Sequence, residues 1–430
     1  MNKFLTGLLL VVAVSLFVFP ISFSFLPESL NSKKMLAVLG ILFYARSCIM
    51  DKTFSMTKAI VASALMSVVF SVWCFYSELA NNTTDGSYTT YFSSFATWLG
   101  GAYAIASIIR IGCGKVNLEL LTKYLTITCV FQCVAALAIS NYPGIRMFVD
   151  RFVVQGQEFY QEVNRMYGIG AALDSGGIRF SVCLILIAHQ LSIERDDENE
   201  TGRIYLYLAS FLFLTVVGNM ISRTTSVGAL LGLMYFGIRN LTIRHGNISK
   251  RQGRIFGALL FLLVAGAGIS IYLYNSSMSF RSDFRFAFEG FFNWVETGEF
   301  STDSTDKLNN VMWIWPETQR GWAIGTGIFG NFVYSTDIGY CRFTLYCGLI
   351  GLGIFSLFFI FNFLTVKEKF NGGILLMVTF LALTFLIWFK VATDLFFLNA
   401  LLFCLDPDHD PEETDETDEN GEALAAEPAA

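Results

Sequence analysis

The chain has 430 residues, of which 54% are hydrophobic and only 15% charged, with a formal net charge of −6 and a mean hydropathy of +0.54. A soluble domain carries about a quarter charged residues, so this composition excludes an ordinary soluble enzyme and points to long apolar helices in a membrane. The net charge hides a split. Eleven of the 35 acids lie in 406–430, which has no Lys or Arg, leaving 24 acids against 29 bases, a charge of +5, in the rest. That acidic run, with Pro and Ala and no apolar period, reads as a disordered tail. The nine cysteines sit mostly in apolar runs and form neither a disulfide framework nor a CxxC metal site. His189, His245 and His409 are scattered, so no metal and no cofactor are expected.

In chain order, hydropathy gives about twelve spans, near 4–26, 34–50, 58–78, 91–109, 119–140, 178–194, 204–221, 225–240, 255–274, 341–364, 373–388 and 391–405. The first is long, lacks a small-residue cleavage site and precedes further spans, so it reads as a span rather than a signal peptide. The last two meet at a tight turn near Lys390 and Asp394. The loop "RNLTIRHGNISKRQGR" is strongly basic and is assigned to the cytoplasm, which by alternation puts both termini there. The expected fold is therefore all-α and polytopic. A single membrane domain covers 1–405, and a disordered acidic cytoplasmic tail covers 406–430.

Two long outer loops, about 141–177 and 275–337, interrupt this pattern. Long loops between packed spans are usually functional or disordered, and these are rich in aromatics; the second holds Trp294, Trp313, Trp315 and Trp322. The outer basic residues are mostly arginines: Arg146, Arg151, Arg165, Arg179, Arg223, Arg281, Arg285, Arg320 and Arg342. Any one of them serves equally well at a lipid head group. Nine together, on the side that the positive-inside rule disfavours, point to an anionic ligand.

Arg223 lies in "SRTTSVG", a short turn opening a span, where free N–H groups and the helix dipole favour an anion. The competing expectation is a helix cap at Ser222 or Thr224 with Arg223 snorkelling. In "SFRSDFRFAFEGFFNW", Arg281 and Arg285 share a helical face beside a stripe of Phe284, Phe288 and Phe292, which predicts an amphipathic helix on the outer surface. "RMYGIGAALDSGGIRF" sets Arg165 before glycines and Asp174, with Arg179 at the mouth of the next span. Asp337 is distinguished among the outer acids by standing immediately before a span, and no DxD pair accompanies it. A carboxylate beside arginines stays ionised and can take a proton from a sugar hydroxyl.

The ensemble resembles the O-antigen polymerase and ligase family of bacterial inner-membrane glycosyltransferases. The resemblance rests on about twelve spans with a large late outer loop, on "SRTTSVGALLGL", on "RGWAIGTGIFG" and on "TDIGYCRFTLYCGLIGL". It covers roughly 160–365 through motifs and the N-terminal spans through hydropathy alone. Where many relatives carry His-Asn, this chain has Asp337 and Ile338, which looks more like the polymerase branch; Arg165 and Gly176 match an Arg-x10-Gly spacing of polymerases.

The resemblance implies glycan repeat units on undecaprenyl diphosphate as substrates, at the periplasmic face of the inner membrane. Asp337, Arg223 and Arg165 would be catalytic. Arg281, Arg285, Arg342, Arg179 and Arg320 would hold phosphates, and Tyr340 would contact sugar. Membrane lipids, chain-length regulators and flippases are the implied partners, and nucleic acid is not. The alternatives are a ligase that hands a finished glycan to another acceptor, a flippase or secondary transporter with a midplane site, and a scaffold that acts through its tail.

Overall fold

The computed structural model describes residues 3–27, 29–53, 56–162, 165–193, 200–243, 250–299, 301–330 and 333–408. Arg195, Arg244, His245 and the acids beyond Asp408, on which the expected orientation and tail partly rest, lie outside the described residues. The helices run in order α1 (Lys3–Val18), α2 (Ser32–Asp51), α3 (Lys58–Asn81), α4 (Tyr91–Cys113), α5 (Leu118–Asn141), α6 (Pro143–Phe152), α7 (Gln157–Glu162), α8 (Leu173–Ser192) and α9 (Glu200–Ile221). They continue with α10 (Thr225–Ile243), α11 (Lys250–Ser276), α12 (Met278–Ala287), α13 (Glu289–Thr297), α14 (Asp303–Val311), α15 (Gln319–Ile324), α16 (Gly339–Thr365), α17 (Gly373–Ile387) and α18 (Phe396–Cys404). One short antiparallel ribbon pairs β1 (Ser22–Phe23) with β2 (Val153–Val154).

Among the described residues six helices are long and apolar enough to cross a membrane: α3, α4, α5, α8, α9, and α16 with its extension to Lys369. Only 28% of the apolar window of α3 is packed inside the protein, and Leu65, Val69, Val72 and Phe75 face outward. Apolar surface on that scale needs lipid rather than water against it; the chain is a helical membrane protein. Three expected spans are shorter than the roughly 20 residues a crossing needs: α1, α17 and α18 have 16, 15 and 9 residues. Pro20 follows the end of α1, where it cannot continue a helix, and the chain then turns extended into β1.

Side-chain bridges define two ends of the bundle. At one, Arg179 Nε donates to the carbonyl of Val18, and Tyr340 N–H donates to the carbonyl of Trp388 at 3.2 Å. At the other, Lys369 Nζ donates to the carbonyls of Phe403 and Leu405 at 3.1 Å each. The first acids after α18 are docked there too. Asp406 pairs with Arg110 at 2.7 Å and accepts from Val116 N–H at 3.1 Å, and Asp408 accepts from Asn371 N–H at 2.9 Å. Asp406 and Asp408, which the sequence places in a disordered tail, are therefore tied to the bundle.

Between the ends lies an aromatic core. Phe70 and Phe355 stack at 4.4 Å, and Trp388 lies parallel to Phe355 at 5.6 Å. Within a bilayer such contacts act through dispersion and ring geometry, since the lipid chains outside are equally apolar.

The sequence predicts one unbroken span over 341–364, but α16 is broken at Gly348, whose φ of 69° and ψ of −179° are non-helical. A Cβ there would fall 2.2 Å from the carbonyl oxygen of Ala323, so this position admits only glycine. The carbonyls freed by the break all find donors. That of Leu345 accepts from Thr326 N–H at 2.6 Å, that of Tyr346 from Gly327 N–H at 3.0 Å and Ser77 Oγ at 2.8 Å, and that of Cys347 from Trp73 Nε1 at 2.8 Å. The segment after α15 is thus inserted into the break, as irregular backbone at membrane depth requires.

Candidate functional site

The site is built at the end of the bundle that carries Val18 and Trp388. Asp174 stands in the first turn of α8, which begins five residues before the expected span and so carries this acid into a helix. Its Oδ1 accepts from Ser222 Oγ at 3.1 Å, from Thr224 Oγ1 at 2.5 Å and from Lys390 Nζ at 2.6 Å. Lys390 also donates to Thr224 Oγ1 at 3.2 Å. Gly177, one helical turn after Asp174, makes this possible: a Cβ there would sit 2.7 Å from Ser222 Oγ. The anion expected at the start of α10 is therefore already present, as the protein's own Asp174 carboxylate. The N–H groups of Thr225, Ser226 and Val227 are likewise turned inward onto the carbonyls of Ser222, Arg223 and Thr224.

Arg223 is not a snorkelling cap residue. Its Nε donates to the carbonyl of Phe286 at 2.9 Å, and its Nη2 pairs with Glu289, so it crosses to the junction of α12 and α13. Its guanidinium also lies 4.1 Å from the centroid of the Phe286 ring, and that of Arg165 lies 3.8 Å from the same ring. Two cations on one ring gain electrostatically from its face while repelling each other. Burial, and then the charge of Arg223, holds the Arg165 guanidinium below the ordinary arginine value. Among the described residues the Arg165 guanidinium makes no hydrogen bond or ion pair, which leaves it open to an anion.

Asp337 reaches the same place from the far side. Thr336 and Ile338 on either side are buried, and Thr336 Oγ1 donates to the carbonyl of Met312 at 2.6 Å. With its neighbours anchored, Asp337 is the residue of the three left to point outward; it has no hydrogen-bond partner among the described residues.

These residues line one cavity of about 460 Å³: Arg165, Asp174, Arg223, Phe286, Lys307, Asp337 and Lys390, with Phe159, Leu173, Ile221, Ser222, Leu308 and Met312. Four cations face two carboxylates on its wall, with Glu289 behind Arg223, so it carries a net positive charge. The three residues assigned catalytic roles from sequence thus share one chamber. Asp174, Lys307, Lys390, Glu289 and Phe286 were not singled out from sequence as part of it. A lone lysine in the apolar run "FLIWFKVATD" was the one signal available.

The other expected ligands lie elsewhere. Tyr340 donates its hydroxyl to the carbonyl of Phe385 at 3.0 Å and packs on Phe389 at 5.0 Å, so it ties α16 to α17. Arg342 donates to the carbonyl of Phe329 at 2.6 Å and lies 4.0 Å from that ring. Arg179 is spent on the carbonyls of Val18 and Ser175, and Arg320 on the carbonyl of Ala80. Arg281 lies over Tyr274 at 4.9 Å, while Arg285 pairs with Glu296 at 2.7 Å and lies over Phe292 at 4.8 Å. None of these six lines the cavity.

The expected aromatic stripe is present, but Phe288 falls between α12 and α13 instead of continuing one helix. With Tyr274, Leu212, Val216 and Leu262, the stripe lines an apolar groove of about 470 Å³ between α9, α11 and α12. Trp322, Trp315 and Trp313 stack in turn at 5.4 and 5.8 Å and reach Phe389 at 6.3 Å. No protein-family model matches the chain, and no curated protein matches it.

Proposed function

We propose that the chain is a bacterial inner-membrane glycosyltransferase acting on glycans linked to undecaprenyl diphosphate, joining repeat units as an O-antigen or capsular polysaccharide polymerase does. The observation that carries this is the single cavity in which Arg165, Arg223, Lys307 and Lys390 meet the unpartnered carboxylate of Asp337. Beside it, on the other side of α12, runs an apolar groove of the kind an isoprenoid chain fills. With the basic loop after α10 taken as cytoplasmic, as the sequence leads one to expect, this end of the bundle faces the periplasm.

In this scheme the acceptor sugar hydroxyl attacks the anomeric carbon of the donor glycan. The new carbon–oxygen bond forms as the bond from that carbon to the diphosphate oxygen breaks. Asp337 takes the hydroxyl proton, and the undecaprenyl diphosphate leaves with the bonding electron pair. Arg165 and Lys307, which pair with no carboxylate among the described residues, offset the developing charge first; Arg223 joins them as a diphosphate oxygen competes with Glu289. Lys390, fixed by Asp174, sets the potential of the wall.

A transporter would need an ion or substrate site at membrane depth. The break in α16 has the form of one, but its carbonyls at Leu345, Tyr346 and Cys347 are taken by protein donors.

The test is extension of a lipid-linked repeat unit by the purified chain. Asp337→Asn is expected to lower the turnover about 10²–10⁴-fold, the usual worth of a general base, with donor binding kept. Arg223→Ala is expected to weaken donor binding. Full activity in both variants would overturn the assignment.

A further inference from the structure

A second cavity, of about 250 Å³, lies on the other side of Arg165 from the chamber just described; Arg165 lines both. Its walls come from α12, from α6 and the end of α5, and from the segment leading to α8. The polar face of α12 supplies Ser279, Ser282 and Asp283, at the i, i+3 and i+4 spacing that puts them on one side of a helix. Phe286, the next residue on that face, is the ring shared by Arg165 and Arg223 in the first cavity.

Opposite α12 stand Arg146, Tyr160 and Tyr167. The two tyrosine rings lie 5.4 Å apart, and the Tyr167 hydroxyl is fixed on Asp150 at 3.0 Å, which leaves the ring faces and the Tyr160 edge to the cavity. Among the described residues, the side chains of Arg146, Ser279, Ser282 and Asp283 make no hydrogen bond or ion pair. Burial pushes the Asp283 carboxyl up to about 6, which shows how little water compensates it there.

We propose that this second cavity is a carbohydrate-binding subsite that receives the acceptor sugar. The composition of its wall selects the ligand. Arg146 and Arg165 only donate hydrogen bonds, Asp283 accepts them, and the serine hydroxyls do both. A phosphate is an anion that the Asp283 carboxylate repels, whereas a sugar ring is neutral and offers hydroxyls that donate and accept and an apolar face for Tyr160. The volume suits one sugar ring. The shared wall at Arg165 sets that ring next to the cationic chamber, which is where an acceptor must lie if a glycan is to pass to it. The assignment of the occupant as an acceptor rests on the glycan transfer proposed above; the existence of the subsite does not.

The experiment uses the full chain in lipid nanodiscs and two probes: a printed array of bacterial repeat-unit glycans, and farnesyl diphosphate. The best-bound glycan is then titrated against the wild type, Asp283→Asn, Ser282→Ala and Arg223→Lys. Asp283→Asn is expected to weaken glycan binding at least ten-fold and Ser282→Ala several-fold, with no fall in the unfolding midpoint and with farnesyl diphosphate binding unchanged. Arg223→Lys is expected to do the reverse.

Glycan binding that ignores both Asp283→Asn and Ser282→Ala overturns the subsite, as does an array on which nothing exceeds the Asp283→Asn background. Displacement of the glycan by millimolar inorganic phosphate also overturns it, since the cavity is then an anion site. Asp283-dependent glycan binding without any farnesyl diphosphate binding upholds the subsite and removes the lipid-diphosphate reaction instead.

Discussion

The ion pair between Lys390 and Asp174 joins the α17–α18 turn to the start of α8 at 2.6 Å and fixes one wall of the cationic cavity. Replacing Lys390 by methionine leaves the carboxylate with two hydroxyl donors and no counter-charge. Breaking a fully buried pair costs about 3–5 kcal/mol, and exposed pairs are worth about 0–1 kcal/mol. The two side chains here are 38% and 28% exposed, so a coupling of about 1–2 kcal/mol is expected, between those limits. The cycle compares Lys390→Met, Asp174→Asn and the double variant. Unfolding is followed by tryptophan fluorescence as SDS is titrated into dodecylmaltoside micelles. The double variant should lose less than the sum of the singles by that coupling. Losses that add to within about 0.3 kcal/mol would refute the pair as a structural element of the site.

Three further outcomes follow from the geometry. Phe286→Leu removes the ring under both guanidinium groups, each contact worth about 0.5–2 kcal/mol, and should lower the unfolding midpoint and weaken farnesyl diphosphate binding several-fold. Gly348→Ala meets the Ala323 carbonyl and an unfavourable backbone region costing about 1–3 kcal/mol, so the folded yield and midpoint should fall while Gly353→Ala, in open space, leaves both unchanged. Asp283 gives a pH signature. Its folded pKa, about 6, lies above the ordinary 3.8, so the native state holds the extra proton and stability falls as pH rises between those values. In Asp283→Asn that slope should be absent from midpoints measured between pH 4 and pH 7.

Arg165, Arg223 and Asp337 were picked from sequence as charges on the outer loops and turns, and the fold brings all three to one cavity. Arg179, Arg320 and Arg342 were picked in the same way and do not line that cavity. A guanidinium at a helix mouth satisfies orphan carbonyls as readily as it binds a ligand, and only the position of those carbonyls decides. Asp174 was read as part of a loop because the apolar run starts only at Ile178. The helix begins earlier, at Leu173 with a φ of 47°, and Asp174 in its first turn is held by Ser222, Thr224 and Lys390 from distant parts of the chain. The break at Gly348 is invisible to hydropathy, since a glycine in an apolar run scores the same whether the helix continues or stops. What exposes it is a donor set from Trp73 and Ser77 on α3 and from Thr326 and Gly327 after α15, two stretches far apart in the chain.

Because residues 323–327 are seated in that break, the approach to Asp337 is fastened to the membrane bundle on both sides: upstream by the inserted segment and downstream by α16 itself. The stretch from 278 to 318 then hangs between two fixed points, with one end at α11 and the other at the insertion. Its first turns, which carry Ser279, Ser282 and Asp283, can vary without re-siting the carboxylate, whereas Lys307 lines the chamber and Met312 anchors Thr336 beside it. Residues that read the sugar and the residue that reacts with it are in this way under separate mechanical control. Exchanging Ser279, Ser282 and Asp283 alone should therefore change the glycan recognised while leaving the chemistry in place.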